Sequence, residues 1–352
     1  MHRIAATIRA LVRGMAGRQT NLALLGLLLL VVGTGALNFA LGSGWARWPT
    51  VLHGTIALAL VLVTGWKWRI IRAGLEHHPP RSTWPSLVLT VLVVVAIVSG
   101  LLHATGLVLR YGALDDMQVH VGAALLALPF AAWHVFARET FPGRQDATRR
   151  NLLRSALLLG SAGAVWASLE GLMEVVGWRG ADRRFTGSFE EASHDPESMP
   201  SIIWLFDPRL RLDRDAWTLT VVDGSSRRTL GYRELAAHDE RVTAILDCTS
   251  GWWAEQDWSG APLSRLLGEP PPPDSRSLLV RSETGYARRF PLRDLAHLLL
   301  ATRYEDRPIA PRHGAPARLV APGRRGFWWV KWVTHIEVSH VPWWRQPPYP
   351  LQ

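Results

Sequence analysis

Apolar residues are spread unevenly along this chain. Four runs are long enough to cross a bilayer, which takes about 20 residues: roughly 21–42, 50–71, 84–109 and 117–137. A fifth run, roughly 152–176, is interrupted by Ser, Gly and Glu. The pattern then changes. Residues 216–222 (AWTLTVV), 241–247 (RVTAILD), 278–281 (LLVR) and 317–321 (ARLVA) alternate or run apolar over strand lengths. Residues 231–238 and 292–301 predict short helices, and 269–274 (EPPPPD) a surface loop. The expected fold is multi-domain. An all-α transmembrane bundle of four helices plus one precedes a β-rich α+β domain. The expected divisions are a bundle over 1–145, a linker with the fifth helix over 146–180, and an outer domain over 181–352. The first run is read as a span, not a cleaved signal peptide, because it is long and further spans follow.

Charge changes the picture by giving the helices a direction. The net charge is +10. In the first half the cations gather in short connections beside apolar runs and form no basic stripe, so nucleic acid is excluded as the partner. Arg3, Arg9, Arg13 and Arg18 precede the first run. Lys67, Arg69, Arg72 and Arg81 follow the second, and Arg138, Arg144, Arg149, Arg150 and Arg154 follow the fourth. The other connections are poorer, with Arg47 and Arg110, the latter beside Asp115 and Asp116. The positive-inside rule then predicts a multi-pass protein of the bacterial cytoplasmic membrane. Its N-terminus is cytoplasmic and residues 177–352 lie on the periplasmic side. Thr148-Arg149-Arg150-Asn151-Leu152-Leu153 resembles an internal twin-arginine export signal. Plain positive-inside charge explains the same pair.

Four histidines fall within the runs: His53, His103, His120 and His134. An ionisable group inside a membrane is a functional hypothesis by default. His120 and His134 are 14 residues apart, about four turns and about 21 Å along one helix. In the topology above His53, His103 and His120 share the outer depth. The arrangement resembles b-type cytochrome membrane bundles, which implies that His53 faces His120 across one b-type haem, with His103 as the competing partner. His134 is the candidate ligand of a second, inner haem, although no His stands at its depth. The bland reading is that each His hydrogen-bonds a neighbouring helix; three at one depth favour haem. Neutral imidazoles make low-spin electron-transfer ligands.

The chain has one cysteine, which rules out an internal disulfide. A lone Cys is often a small buried hydrophobe. Cys248, however, ends a strand and enters the turn Thr249-Ser250-Gly251-Trp252-Trp253. A thiolate there can ligate a soft metal or act as a nucleophile. A cysteine hydrolase would need an orienting His, with His194, His238, His297, His313, His335 and His340 available.

Context separates these readings. Cys248-Thr249-Ser250-Gly251-Trp252, followed by Glu255, Trp258 and Gly260, resembles the cofactor segment of sulfite oxidase-type molybdopterin-dependent oxidoreductases. His313-Gly314-Ala315-Pro316-Ala317-Arg318, then Pro322, Gly326 and Val330-Lys331-Trp332, is similar to that family's second block. Arg184-Phe185-Thr186-Gly187-Ser188 resembles the domain's opening in bacterial members. The resemblance implies a molybdenum–molybdopterin cofactor with Cys248 as the metal's thiolate ligand. It implies that His313 and Arg318 bind the pterin or border the substrate. Lys331, with amides of the Arg324–Trp329 loop, would hold the phosphate, and Thr284 would make a further pterin contact. Cys248 and Arg318 are the expected catalytic residues.

Around Cys248 this chain offers Trp252, Trp253 and Trp258 where eukaryotic sulfite oxidases have more cations. An aromatic pocket suits a neutral oxygenated substrate such as a sulfoxide or N-oxide. The expectation is oxygen-atom transfer at molybdenum, with electrons passing through haem to or from the quinone pool. A sulfite oxidase-like dehydrogenase is the alternative. A membrane cytochrome with a degenerate, non-enzymatic outer domain is a third reading, and the intact Cys248 speaks against it.

Overall fold

The computed structural model describes residues 17–77, 84–112, 114–137, 141–202, 208–267 and 271–350, apart from the side chains at 66 and 68–77. The expectations about Arg3, Arg9, Arg13, Arg69, Arg72, His77, His78, Arg81 and Arg138, and about Glu269 and Pro270 in the proline loop, lie outside the described residues. The chain divides into two compact units. One comprises Met1–Asn38 with Gly44–Gly187, the other Phe39–Ser43 with Ser188–Gln352. The 146–180 segment therefore groups with the four preceding helices, and the boundary falls at Gly187.

The first unit is built from α1 (Gly17–Ala40), α2 (Arg47–His77), α3 (Trp84–Thr105), α4 (Asp116–Ala137) and α5 (Arg149–Val176). Among the described residues, five helices are long and apolar enough to cross a membrane. Their apolar residues are not confined to one stripe. Leu29, Leu30, Val91, Val94, Leu125, Leu126 and Leu152 are exposed while Leu27, Ile56, Leu60 and Val63 form a small core. In water such exposure would be costly; it is what a lipid-facing helix carries. A two-residue hairpin, β1 (Arg110–Tyr111) with β2 (Leu114–Asp115), turns the chain between α3 and α4. Thr148 caps α5 by accepting from the Asn151 amide at 3.2 Å, so Arg149 and Arg150 open that helix. Gly177, at φ 68°, ends it.

The second unit is β-rich. It contains β3 (Phe189–Glu190), β4 (Thr218–Asp223), β5 (Ser226–Gly231), α6 (Tyr232–Ala236), β6 (Glu240–Asp247), β7 (Trp252–Pro262), α7 (Leu263–Leu266), β8 (Ser277–Ser282) and β9 (Ala287–Phe290). Then follow β10 (Leu299–Tyr304), β11 (Arg307–Pro308), β12 (Arg318–Val320) and β13 (Val333–Ser339). One sheet runs β11-β10-β7-β3, with β12 also on β10 and β6 on β7. The other runs β5-β4-β13-β8-β9. Leu219, Val221, Leu246, Trp258, Leu278, Val280, Leu300 and Ile336 are among the residues that fill a shared core.

One local expectation changes. Residues 292–301 were expected as one helix, but only Leu292–His297 turn, as a 3₁₀ helix, and Leu299 begins β10. The apolar run LLLA there is a buried central strand, which periodicity alone does not distinguish from a helix. The stretch after Cys248 is β7, the longest strand at 11 residues. Buried and partly buried positions alternate along it from Trp252 to Trp258.

Candidate active site

Cys248 sits where β6 ends. Its amide donates to the Trp252 carbonyl at 2.8 Å, and the Gly251 amide returns to its carbonyl at 3.3 Å. Gly251 adopts φ 94°, which a side chain would strain. This tight reversal joins β6 to β7 and leaves the thiol at the strand end. The Sγ lies 3.3 Å from the Ser250 hydroxyl. Burial pushes the thiol pKa up, against the Ser250 hydrogen bonds and the nearby Arg325 and Lys331 cations. Among the described residues no histidine hydrogen-bonds Cys248. A raised pKa and no base are wrong for a hydrolytic cysteine and acceptable for a metal ligand, because a metal removes the thiol proton itself.

Arg318 opens β12 and is buried. Its guanidinium lies over the rings of Trp258 (5.5 Å) and Trp329 (5.7 Å). One nitrogen donates to the His313 carbonyl at 3.1 Å, while its Nε has no hydrogen-bond partner among the described residues. Burial, offset by the Cys248 and Tyr304 side chains, lowers its pKa to about 10, so it stays a cation at neutral pH. A buried cation with an unspent donor asks for an anionic or oxygen-bearing group. With the Cys248 thiol, this is the observation on which a molybdenum–pterin group fits the site.

His313 is placed differently from a pterin donor. Its Nε2 donates to the Met199 carbonyl at 3.1 Å, and its Nδ1 accepts from the Tyr304 hydroxyl at 3.0 Å. The Tyr304 oxygen in turn accepts from the Ala310 amide at 3.3 Å. Burial, with the Arg318, Lys331 and Arg312 cations, lowers the His313 pKa to about 3. It is thus a neutral imidazole with both nitrogens engaged, locking the 310–314 turn. The Lys331 Nζ donates to Ser201 Oγ and to the Ile202 and Arg312 carbonyls at 2.9–3.0 Å. Lys331 therefore ties 201–202 to the same turn. Thr284 Oγ1 bonds Ser282 Oγ at 3.2 Å in the β8–β9 turn. The amides of Arg324, Trp328 and Trp329 bond within their own loop, to Ala321, Arg325 and Gly326.

The sequence reading missed Tyr304, Met199 and the Ser188–Asp247–Arg325 group. Asp247 and Arg325 form a buried ion pair directly beneath Cys248. The visible signal was Asp247 directly after the apolar stretch Ala244-Ile245-Leu246.

In the helical unit, the His53 and His120 rings stand 5.9 Å apart, centroid to centroid, at 81°. His53 Nδ1 donates to the Val31 carbonyl at 2.9 Å, and His120 Nδ1 to the Ala96 carbonyl at 2.7 Å. Each Nε2 then carries its lone pair, the tautomer a metal requires. Gly35 and Gly100 make room: a Cβ on Gly100 would stand 2.9 Å from the His120 ring. His103 is committed elsewhere. Its Nε2 donates to the Gly187 carbonyl at 3.0 Å, and its Nδ1 lies 3.7 Å from the buried Asp116 carboxylate. His134 Nδ1 lies 3.0 Å from the Ser86 hydroxyl. The structure thus brings the His53 and His120 rings together, while His103 and His134 have partners of their own in Gly187 and Ser86.

Residues 207–345 match the family model of the oxidoreductase molybdopterin-binding domain. This part of the chain is a molybdopterin-binding oxidoreductase domain of the sulfite oxidase type, as the Cys248 and His313 blocks implied. Among solved structures, the sulfane dehydrogenase SoxCD from Paracoccus pantotrophus is similar at 24% identity and a TM-score of 0.36. The likeness covers 38% of this chain and 40% of that one, so this chain spans well under two thirds of that protein's length. No curated protein matches the chain.

Proposed function

We propose that this protein is a membrane-held molybdenum oxidoreductase that removes an oxygen atom from a sulfoxide or N-oxide. Its electrons come through a b-type haem from the quinone pool. The overall change is XO + 2 H⁺ + 2 e⁻ → X + H₂O. The carrying observation is the buried Arg318 cation, its Nε unspent, held over Trp258 and Trp329 beside the Cys248 thiol. When bound, the molybdenum–pterin group supplies a two-electron centre that accepts or donates an oxygen atom.

The chain's own residues have these parts. Cys248 holds the metal as thiolate. Arg318 donates to the substrate oxygen, favouring the polar bond's charge as it breaks. Trp258 and Trp329 give that oxygen an aromatic, water-poor wall. His313 stays neutral and holds the turn from which Arg318 is aimed. His53 and His120 hold the haem as paired imidazoles, and the five apolar helices keep it in a membrane. The outer domain then lies on the periplasmic side and the N-terminus in the cytoplasm.

The test uses detergent-purified protein with reduced benzyl viologen and, separately, dimethyl sulfoxide, trimethylamine N-oxide and sulfite with ferricyanide. Viologen oxidation with the sulfoxide or N-oxide is expected, together with reduction of the haem by a quinol. Sulfite oxidation without either reductive activity would overturn the assigned direction and substrate class.

A further inference from the structure

The backbone of Cys248 is gripped from beneath by a buried polar group that catalysis by Cys248 and Arg318 leaves unexplained. Asp247 is the last residue of β6, and Arg325 precedes the turn Gly326–Trp328. Each side chain is only 4% exposed. One Arg325 nitrogen donates to the Asp247 carboxylate, and the other donates to the Cys248 carbonyl at 3.1 Å. Ser188 donates to the same Asp247 oxygen at 2.8 Å. Asp247 and Arg325 also form a parallel backbone bridge. Gly326 comes so close that an added Cβ would stand 3.2 Å from the Cys248 Cα.

A buried ion pair is weak evidence for stability, because desolvating two charges offsets their attraction. A forked guanidinium that meets a carboxylate with one arm and a carbonyl with the other specifies geometry instead. Here it joins three segments: the residue before β3, the end of β6 and the 321–328 loop. With Trp252 on the other side, both peptide groups of Cys248 are fixed. Only the thiol's own torsion remains, and Ser250 borders it.

We propose that Arg325 is a positioning residue for Cys248. By tying the β6 end to the 321–328 loop, it fixes the direction from which the thiolate reaches the metal. The inference rests on the reading of Cys248 as the molybdenum ligand.

Two variants of the full-length protein test it. Arg325→Lys keeps a cation for Asp247 but loses the second arm to the Cys248 carbonyl. Arg325→Met with Asp247→Leu removes the pair and leaves an apolar replacement. In metal-loaded protein the thiolate-to-metal absorption band, defined as the band that Cys248→Ser abolishes, is expected to shift in both variants. In metal-free protein, alkylation by iodoacetamide is expected to be faster than in wild type. Cys248 is the sole cysteine, so that rate reports on it alone. The unfolding temperature of Arg325→Lys is expected to stay near that of wild type, which a merely structural role would not combine with a shifted band. Should both variants fail to fold, Ser188→Ala, which loosens Asp247 without removing a charge, takes their place with the same expected shift. An unshifted band with an unchanged alkylation rate would overturn the positioning role. A loaded wild type with no band that Cys248→Ser removes would overturn the ligand reading itself.

Discussion

His53 and His120 present their rings to each other at 5.9 Å and nearly at right angles, each with Nδ1 spent on the carbonyl of a neighbouring helix. Carbonyl anchoring of one ring nitrogen fixes the tautomer and turns the other into a ligand. Replacing either His with Ala is expected to abolish a bis-imidazole spectrum in the reduced-minus-oxidised difference. His103→Ala is expected to keep it, since that ring is held by Gly187 and Asp116. The reverse pattern would reassign the ligands.

Gly100 supplies a separate check on the same pair. A Cβ there would press on the His120 ring at 2.9 Å, and a β-branched side chain has few rotamers with which to yield. Gly100→Val is expected to lower haem occupancy while the five helices still insert. Haem content per protein, measured beside the circular dichroism spectrum, reads this out. Full occupancy would show that the ring has room to move.

Arg318 is buried, cationic and unspent at Nε. Arg318→Met is expected to lower kcat/KM by about 10²–10³-fold, the loss typical of one charge-stabilising donor. Arg318→Lys is expected to rescue little, because an ammonium has no planar fork to lie over Trp258 and Trp329. Steady-state kinetics with trimethylamine N-oxide and reduced viologen provides the comparison. A lysine variant near wild-type rate would reduce Arg318 to a point charge.

His313 makes stability pH-dependent. Its pKa is lowered to about 3 in the folded protein, while the unfolded side chain takes its proton near about 6.5. Between these values the unfolded state binds more protons. Stability therefore falls as pH drops through that window, by at most about 1.4 kcal/mol per pH unit. Glutamine can replace both hydrogen bonds without titrating. The unfolding temperature of His313→Gln is expected to fall less between pH 6.5 and 4 than that of wild type. Equal slopes would contradict the buried neutral assignment.

Trp258 has two roles to separate. Its fully buried ring stacks on Tyr304 at 5.6 Å, and its Nε1 donates to the Ala244 carbonyl. Trp258→Ala is expected to cost about 3–5 kcal/mol in chemical denaturation. Trp258→Phe keeps most of the wall and is expected to cost far less. A near-neutral alanine variant would mean that the core collapses around the gap.

The helical half was legible because a bilayer demands long apolar runs, and each of the five expected runs is a helix. The pairing of His53 with His120 followed from depth, whereas His103 shares that depth but turns to Gly187, which no spacing rule reveals. In the β-rich half, the places of Cys248 at a strand end and of Arg318 in a strand were readable from the apolar runs around them. The contacts of His313 and Lys331 were not, since Met199 and Ser201 reach them from more than 100 residues away. A separation of 59 residues likewise hid Ser188 from Asp247. Residues 298–301 misled because a fully buried strand and a helix segment share one apolar run.

The most direct test of the account is metal analysis together with an optical spectrum on purified protein, wild type beside Cys248→Ser. The account requires molybdenum and a bis-imidazole b-type haem in the wild type. The variant should retain the haem but lose the thiolate band and the activity. Haem without molybdenum in wild-type protein, purified from cells supplied with molybdate, would contradict it and leave a membrane cytochrome with a binding module.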